Sequence, residues 1–372
     1  MDTEARLSLE SPPDERLRLE TVEVSRPLQE AWDGLAEGSG NVFGSSEWAR
    51  AWWRHWGTGY PLKVTTCRGQ NGDLMAVFPL YLAARRPLRI LRFIGHGPAD
   101  LLGPVHVPEE RHAVGAALRS HLRSTSSRWD LVLAQQVPVA GGWSDTLTGH
   151  VLRRERSPLL RLRWSTWDEY LATRSANFRQ QVRRKGRRVT RSHSVRFRLT
   201  SNPDRLDHDL SCLFALHAAR WGAAASAAFA PSRQAFHRDF ARRALCRGWL
   251  RLWMMEVDDV PVAAWYGFRM GGVESYYQSG RDPRWERESV GLILLAHTVR
   301  CALEDGMREY RFLRGGEAYK DRFTDDEAET ESFVLGSGFR GSVAVAAARR
   351  SAGRSWSHGP LAAVRRAVGL GG

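Results

Sequence analysis

The sequence has few cysteines and no long apolar run. Its four cysteines lie far apart in a chain of 372 residues, and they fit neither a zinc-binding pattern nor a disulfide framework. No apolar stretch approaches the roughly 20 residues that a membrane-spanning helix needs, and the charged N-terminus has no apolar segment typical of a signal peptide. These absences predict a reduced, cytoplasmic protein that holds no structural metal.

Acidic residues are missing from two segments. The run from Arg179 to Arg198 contains nine Arg or Lys residues, the tail from Phe339 to Gly372 contains six Arg residues, and neither contains Asp or Glu. The rest of the chain is close to neutral, so the formal charge of +14 indicates two local basic patches rather than a general nucleic-acid-binding surface. Aromatic residues are sparse in the first patch, which argues against base stacking there. The tail is suited to weak contact with an anionic membrane.

The two halves of the chain have a similar order of predicted elements. Each reads as strand, helix, paired strands, helix and strand, which predicts an α+β fold of two tandem units, each a mixed, mostly antiparallel sheet flanked by helices. We divide the chain into a disordered N-terminus (1–17), an N-terminal domain (18–157), a C-terminal domain (158–338) and a flexible basic tail (339–372).

Local signals predict individual helices and strands. Ser45 or Ser46 is placed to cap the Trp-rich helix that follows. The segments 61–69 and 73–85 read as two paired strands across a turn. One helix is predicted from about Thr166 through the basic run to about Thr190.

A three-stranded meander, a helix and a short strand fill residues 249–313. Helices of this kind offer their first free amides to an anionic ligand, such as the phosphate groups of an acyl carrier. Ser289 is placed to cap the helix, which is predicted to begin near Val290. We therefore predict that the donor is bound by Gln278, Ser279, Asp282, Ser289, Val290 and Gly291.

The end of the third strand carries four polar residues in a row. Strict alternation places Tyr276 and Gln278 on one face, and Tyr277 and Ser279 on the other. Either pair could hydrogen-bond the amide groups of an acyl carrier, and a purely structural role for the tyrosines is an equal alternative.

The cluster from Arg314 to Phe323 combines a carboxylate, a phenol and cations directly after a strand. Transfer to an amine needs a proton acceptor, a stabiliser of the oxyanion and a proton source for the leaving group. Glu317 is predicted to act as the base, Lys320 to stabilise negative charge and Tyr319 to donate a proton. The alternative is a surface loop held by an ion pair between Glu317 and Arg322.

Further candidates lie on the helices. His217, Arg220, Trp221, Tyr277 and Arg322 are predicted to contact the acceptor substrate. A buried, hydrogen-bonded histidine is the alternative for His217. Arg183, Arg184 and Lys185 are predicted to contact phosphate, because guanidinium groups bind phosphate through two parallel hydrogen bonds. A solvated Arg-rich helix face is the alternative for these three.

The chain resembles a known family over most of residues 20–335. The segments NVFGSSEWARAWWRHWG, DLMAVFPLYL, NFRQQVRRKGRRV, ALHAARWG, VPVAAWYGFRMGGVESYYQSGRDPRWERESVG and RGGEAYKDRF carry this resemblance. They look like the BioF2-like or CelD-like acetyltransferases, which are associated with cellulose and exopolysaccharide biosynthesis and belong to the GCN5-related N-acetyltransferase (GNAT) superfamily. The chain is also similar to the FemAB peptidoglycan-bridge transferases, which use tandem copies of that fold.

The resemblance implies an N-acyltransferase that uses acetyl-CoA or another acyl-CoA as co-substrate and binds no permanent cofactor. The acceptor would be a small amine, an amino acid or an amino sugar of a polysaccharide or cell-envelope precursor. The usual pyrophosphate loop of the superfamily has two glycines, whereas Arg287-Glu-Ser-Val-Gly291-Leu has one. An acyl carrier protein, or the aminoacyl-tRNA donors that the FemAB resemblance implies, therefore stay open as alternatives. A noncatalytic protein that binds nucleic acid or membrane through the basic patches is a third.

Overall fold

The computed structural model describes residues 16–57, 59, 61–84, 87–222, 228–324 and 326–351. The helices are α1 (Arg26–Ser39), α2 (Ser46–Trp56), α3 (Arg111–Ser124), α4 (Trp143–Thr146), α5 (Trp167–Ala172), α6 (Ala176–Ser192), α7 (Pro203–Trp221), α8 (Pro231–Cys246), α9 (Val290–Glu304) and α10 (Gly338–Ser351). The strands are β1 (Arg18–Glu23), β2 (Lys63–Arg68), β3 (Leu74–Phe78), β4 (Leu80–Ala84), β5 (Ile90–Phe93), β6 (Val105–His106), β7 (Leu131–Pro138), β8 (His150–Arg156), β9 (Leu159–Arg161), β10 (Val195–Leu199), β11 (Leu250–Val257), β12 (Val260–Met270), β13 (Val273–Arg281), β14 (Glu309–Arg311) and β15 (Glu329–Gly336).

Three sheets organise these strands. Their orders are β1-β2-β3-β6, β4-β5-β7-β15-β8 and β10-β11-β12-β13-β14-β9. Only two neighbouring pairs, β5 with β7 and β13 with β14, run parallel among the described residues, and every other pair is antiparallel. The predicted class of mixed, mostly antiparallel sheets flanked by helices is therefore confirmed.

The second half of the chain contributes a strand to the first. β15 pairs with β7 on one side and with β8 on the other, so a strand near residue 330 fills the middle of a sheet built mainly from residues 80–156. The predicted domain boundary at residue 157 lies between β8 and β9. It stays a prediction, because the strand pairing links residues on both sides of it.

Two local predictions were wrong. The segment 73–85 is not one strand, because Pro79 divides it into β3 and β4, which belong to different sheets. The helix predicted from Thr166 is two helices: Thr166 caps α5 and Ser175 caps α6. In contrast, Ser45 caps α2 by accepting a hydrogen bond from the Trp48 amide, as predicted.

Both halves share one hydrophobic core. Trp48 of α2 is fully buried, and its ring lies 4.9 Å from Phe236 and 4.6 Å from Phe240 of α8. The hairpin between β12 and β13 also approaches α1: a Cβ atom at Gly271, where φ is +51°, would lie 1.8 Å from the Glu37 carbonyl oxygen. This position therefore requires glycine for both its backbone conformation and its close contact.

Candidate functional site

The parallel strands β13 and β14 separate after a short stretch of pairing. Only Val273 to Ser275 pair with β14, whereas β13 continues to Arg281. The second half of β13 therefore has no neighbour on that side, and a wedge opens between the two strands. Two adjoining cavities lie along this wedge, one of about 260 Å³ beside α9 and one of about 110 Å³ beside the Arg314–Lys320 segment.

A β-bulge determines which side chains enter each cavity. Tyr276 pairs with Gly267 and Gln278 pairs with Tyr266, which leaves Tyr277 as an extra residue. The predicted alternation is therefore wrong. The Tyr276 hydroxyl lies 2.5 Å from the Ser279 hydroxyl. Gln278 instead hydrogen-bonds His217 of α7, and the Tyr277 hydroxyl donates to the Pro98 carbonyl at 2.7 Å.

The larger cavity combines an apolar floor with cationic walls. Trp265, Leu292, Leu294 and Leu295 supply apolar surface, and the guanidinium groups of Arg220, Arg281 and Arg322 lie around it. The side chain of Arg322 packs over the Phe178 ring at 5.0 Å and donates to the Gln181 side chain. This combination suits a ligand that has an apolar arm and an anionic group.

The start of α9 lies at this cavity, where Ser289 and Gly291 form part of its wall. The prediction that the Ser289 side chain caps this helix is wrong. Ser289 occupies the capping position, but it has φ +60° and its side chain accepts no hydrogen bond from the helix. Its hydroxyl donates to the Glu286 carbonyl at 3.4 Å. Among the described residues, the amides of Val290 and Gly291 have no backbone acceptor. Val290 is fully buried, whereas Gly291 forms part of the cavity wall, so the Gly291 amide stays available to an anion.

The smaller cavity holds two carboxylates from different halves of the chain. Asp100 comes from the loop between β5 and β6 and is only 6% exposed, and Glu317 comes from the loop after β14. An Asp100 carboxylate oxygen lies 3.2 Å from the Arg314 guanidinium. Burial nevertheless raises the pKa of Asp100 to about 6, against the opposing effect of Arg314 and Lys320. The site therefore contains a carboxylate that can take up a proton near neutral pH.

A chain of polar groups joins the two cavities. Arg220 donates to the Ser279 hydroxyl at 2.9 Å, and Ser279 in turn lies against the Tyr276 hydroxyl. Tyr276 hydrogen-bonds Tyr319, and burial together with these neighbours raises the pKa of Tyr319 well above its ordinary value. The Tyr319 phenol therefore stays protonated at neutral pH.

Lys320 is buried and holds the neighbouring loop. Its side chain is 3% exposed, and its ammonium lies 2.8 Å from the Glu317 carboxylate. It also donates to the carbonyls of Leu313, Arg314 and Gly315 at 3.4, 2.8 and 3.1 Å. Leu313 has φ +55°, an unfavourable conformation that these bonds help to maintain. The ammonium therefore positions Glu317 and the loop, and burial lowers its pKa. The predicted ion pair between Glu317 and Arg322 does not form.

Several predicted residues lie away from both cavities. Asp282 forms an ion pair with Arg284 at 2.7 Å and caps a short turn. Val290 is fully buried. His217 is buried against the Phe229 ring, and burial lowers its pKa, so it supports Gln278 as a neutral partner. Trp221, by contrast, lines the smaller cavity and is 47% exposed, with Arg220 stacked over its ring at 4.4 Å.

The predicted phosphate contacts lie on α6, outside the cavity walls. Arg183 forms an ion pair with Asp168 at 2.8 Å, and Arg184 is exposed. Lys185 donates to the Arg287 carbonyl, and Arg188 lies 3.9 Å from Glu288. The basic helix therefore packs beside the loop that leads into α9, next to the larger cavity.

The sequence analysis missed Asp100, Arg281, Gln181 and Arg314 as residues of the site. Arg281 and Arg314 flank predicted residues, so their charge and position were available as signals. Asp100 and Gln181 carry no local signal, because only the tertiary fold brings them to the wedge.

The wedge, the free Gly291 amide and the two carboxylates suit the transfer of an acyl group to an amine. Comparison with known protein families finds a match over part of the chain. Residues 176–321 match the acetyltransferase (GNAT) domain. This segment includes the basic helix α6, the meander, α9, β14 and the Glu317–Lys320 loop. Over residues 176–321 the chain is therefore similar to GNAT acetyltransferase domains.

Solved structures show the same fold over nearly the whole chain. FemX is 12% identical, with a TM-score of 0.61 over 85% of this chain and 96% of FemX. L-PGS from Bacillus licheniformis is 11% identical, with a TM-score of 0.55 over 92% of this chain and 96% of that structure. A C-terminal domain from Agrobacterium fabrum, assigned to a candidate lysylphosphatidylglycerol synthetase, is 11% identical, with a TM-score of 0.53 over 82% of this chain and 90% of that domain. No curated protein sequence matches the chain.

No helix in the described part of the chain is long and apolar enough to cross a membrane.

Proposed function

We propose that the protein transfers an acyl group, most simply acetyl, from an acyl-CoA to a small amine by direct attack. The observation that carries this proposal is the wedge after Ser275, which has three guanidinium groups and the free Gly291 amide of α9 at one end and two carboxylates at the other. The diphosphate of the donor would lie at the start of α9, near Arg281 and Arg322. Its thin arm would follow the unpaired half of β13.

The acceptor would enter the smaller cavity. The carboxylates of Asp100 and Glu317 attract an ammonium group, and Asp100, with its pKa near 6, takes the proton as the amine attacks the thioester carbonyl. Collapse of the tetrahedral intermediate breaks the carbon–sulfur bond. The departing thiolate takes a proton from Tyr319 or from its hydrogen-bonded neighbour Tyr276, and the positively charged nitrogen of the intermediate returns a proton to that phenol. The proton held by Asp100 passes to solvent. The amide product and free CoA result.

Lys320 has two roles in this scheme, and the sequence analysis predicted only the stabilisation of negative charge. Its ammonium already contacts three carbonyls and Glu317, so we assign it to holding the carboxylate and adding positive charge near the oxyanion. An amino sugar or amino acid of a polysaccharide or cell-envelope precursor is the acceptor class that the family resemblance favours.

A FemAB-like transfer from aminoacyl-tRNA is the second candidate. The basic face of α6 favours it, because this helix lies beside the entrance of the larger cavity through Lys185 and Arg188. Phosphate-mediated binding of RNA weakens steeply with salt, whereas binding of a small acyl carrier in a cleft weakens less.

Ligand-induced thermal stabilisation separates the candidates. The purified chain would be heated with acetyl-CoA, longer acyl-CoA esters, acyl carrier protein and aminoacyl-tRNA, each at low and high salt. A shift with acyl-CoA esters that persists at high salt supports the proposal. A shift with aminoacyl-tRNA alone would replace it by the second candidate.

A further inference from the structure

A buried arginine in the first half of the chain has no carboxylate partner. Arg92 of β5 is 6% exposed. Its guanidinium donates to the Gln135 side chain, and its Nε atom is buried without any hydrogen-bond acceptor. Among the described residues, no carboxylate lies within ion-pair distance of it. Burying an unpaired charge is costly, so such a residue calls for an explanation.

Several other arginines of the fold have carboxylate partners. Arg89, three residues before Arg92, binds Asp130 at 2.7 Å. Arg198 binds Asp209 at 2.7 Å and Arg243 binds Glu47 at 2.9 Å. Arg92 also stays charged, because burial lowers its pKa only to about 10. Arg111 also lacks a carboxylate in the described part of the chain, but its guanidinium donates to the Gly141 carbonyl and the Thr146 hydroxyl and stacks on the Trp143 ring. Within the described ranges, Arg92 has only the Gln135 side chain.

The groups near Arg92 are neutral and aromatic. His96 has a pKa lowered to about 3 by burial and by the charge of Arg92, so it is uncharged at neutral pH. Tyr81 stacks against His96 at 5.8 Å and keeps its proton, since burial raises its pKa to about 12. A buried oxygen of the Gln136 side chain also has no partner. No neighbouring side chain supplies the negative charge.

An aromatic rim of Trp52, Trp53, Tyr81 and His96 lies beside this position, and Tyr81 stands opposite Arg92 in the β4–β5 pair. The buried Trp52 contacts the rings of Tyr81 at 5.2 Å and His96 at 5.0 Å, and Trp53 lies 5.5 Å from Tyr81. Trp53, Tyr81 and His96 are each only partly buried. Aromatic side chains of this kind bind flat or ring-shaped ligands through their faces. The rim therefore offers a surface for the body of a ligand whose charged group reaches Arg92.

We propose that Arg92 and this rim form a second ligand site, which takes a small ring compound carrying a carboxylate or phosphate group. A planar guanidinium suits either oxyanion through paired hydrogen bonds. The site differs from the acyl-transfer wedge, since neither cavity beside β13 includes Arg92, Tyr81 or His96. Its occupant would provide the counter-charge that the fold omits.

The test uses the full chain and three probes: inorganic phosphate, benzoate and phenyl phosphate. Tryptophan fluorescence and thermal melting are recorded for the wild type, for Arg92→Met and for the control Arg89→Met. We expect benzoate or phenyl phosphate to change the fluorescence and raise the melting temperature of the wild type and of Arg89→Met. Arg92→Met should lose both responses and melt at an equal or higher temperature without ligand, because an unpaired buried charge has been removed. The probe that gives the response shows whether the site takes a carboxylate or a phosphate.

Two results would overturn the proposal. One is a wild type that responds to none of the probes at millimolar concentration. The other is an Arg92→Met chain that keeps the full response. If Arg92→Met does not fold, Arg92→Lys replaces it: this variant keeps the charge but loses the planar fork, so we expect about tenfold weaker binding, and unchanged binding would count against Arg92 as the anchor.

Discussion

The described part of the chain contains two parallel strand pairs, and they differ in what happens after the paired residues. In each half a strand, a helix and a second strand form a crossover: β5, α3 and β7 in the first half, and β13, α9 and β14 in the second. In the second half the strands part and leave a lined wedge. In the first half the chain after β5 folds back over β7, and the Leu102 amide donates to the Gln136 carbonyl at 2.9 Å.

The first half of the chain contributes residues to the smaller cavity of the second half. The loop that closes over β7 carries Asp100 into the smaller cavity, and its Pro98 carbonyl accepts the hydrogen bond from Tyr277 of β13. One unit therefore keeps the cleft, and the other supplies part of its wall. The predictions below test this division of labour.

Replacing Asp100 should have the largest effect. We expect Asp100→Asn to lower kcat about 100-fold, because a positioned proton acceptor is lost. The substrate KM for the donor should change little. Glu317→Gln is the matched control at the other carboxylate and should lose less. Full activity in Asp100→Asn would mean that the loop from the first half is only structural.

Lys320→Ala should lower activity at least about tenfold and also destabilise the chain by about 1–3 kcal/mol, because buried carbonyls lose their donor. Urea unfolding and steady-state kinetics measure the two effects separately. A variant that is inactive but as stable as the wild type would assign Lys320 to chemistry alone.

Gly291→Val should raise the donor KM about tenfold with little change in kcat, because a side chain beside the free amide of residue 291 blocks the approach of an anion. The added Cβ would lie 3.3 Å from Arg281 Cδ, a flexible side chain that can move, so the fold should persist. An unchanged KM would mean that the donor does not bind in the wedge.

The pH profile tests the proton acceptor directly. A base must be deprotonated, so kcat/KM should fall as pH decreases through about 6, the value to which burial raises the pKa of Asp100. Asp100→Asn should lose this acidic limb while keeping its residual rate. A limb that persists in the variant would point to another group.

Ser289→Gly should have the smallest effect. The residue has φ +60° and caps no amide with its side chain, so glycine should leave the free energy of unfolding unchanged or raise it by less than about 1 kcal/mol. A side-chain cap would instead make the substitution cost about 1 kcal/mol. Chemical denaturation distinguishes the two outcomes.

Patterns close together in sequence were predictable, and those that depend on the tertiary fold were not. The meander, α9 and the Glu317–Lys320 cluster follow each other along the chain, so their common location could be anticipated. The bulge at Tyr277 has no sequence signal, and it reversed the faces of Gln278 and Ser279. Asp100 lies more than 200 residues before Glu317 in the sequence, and its role depends on a loop whose path is set by packing between the halves.

Because β15 lies in the middle of the sheet of the first half, that sheet cannot be completed until the second half has been synthesised. The sheet of the first half has a gap between β7 and β8 until residues 329–336 leave the ribosome, so its hydrogen-bonding edges wait for most of the chain to be made. A fragment that ends before residue 329 would leave the facing edges of β7 and β8 unpaired, which favours aggregation. A fragment that starts at residue 158 would carry β15 without the two strands with which it pairs. Co-expression of the two pieces, rather than either alone, is the arrangement in which the protein can be divided.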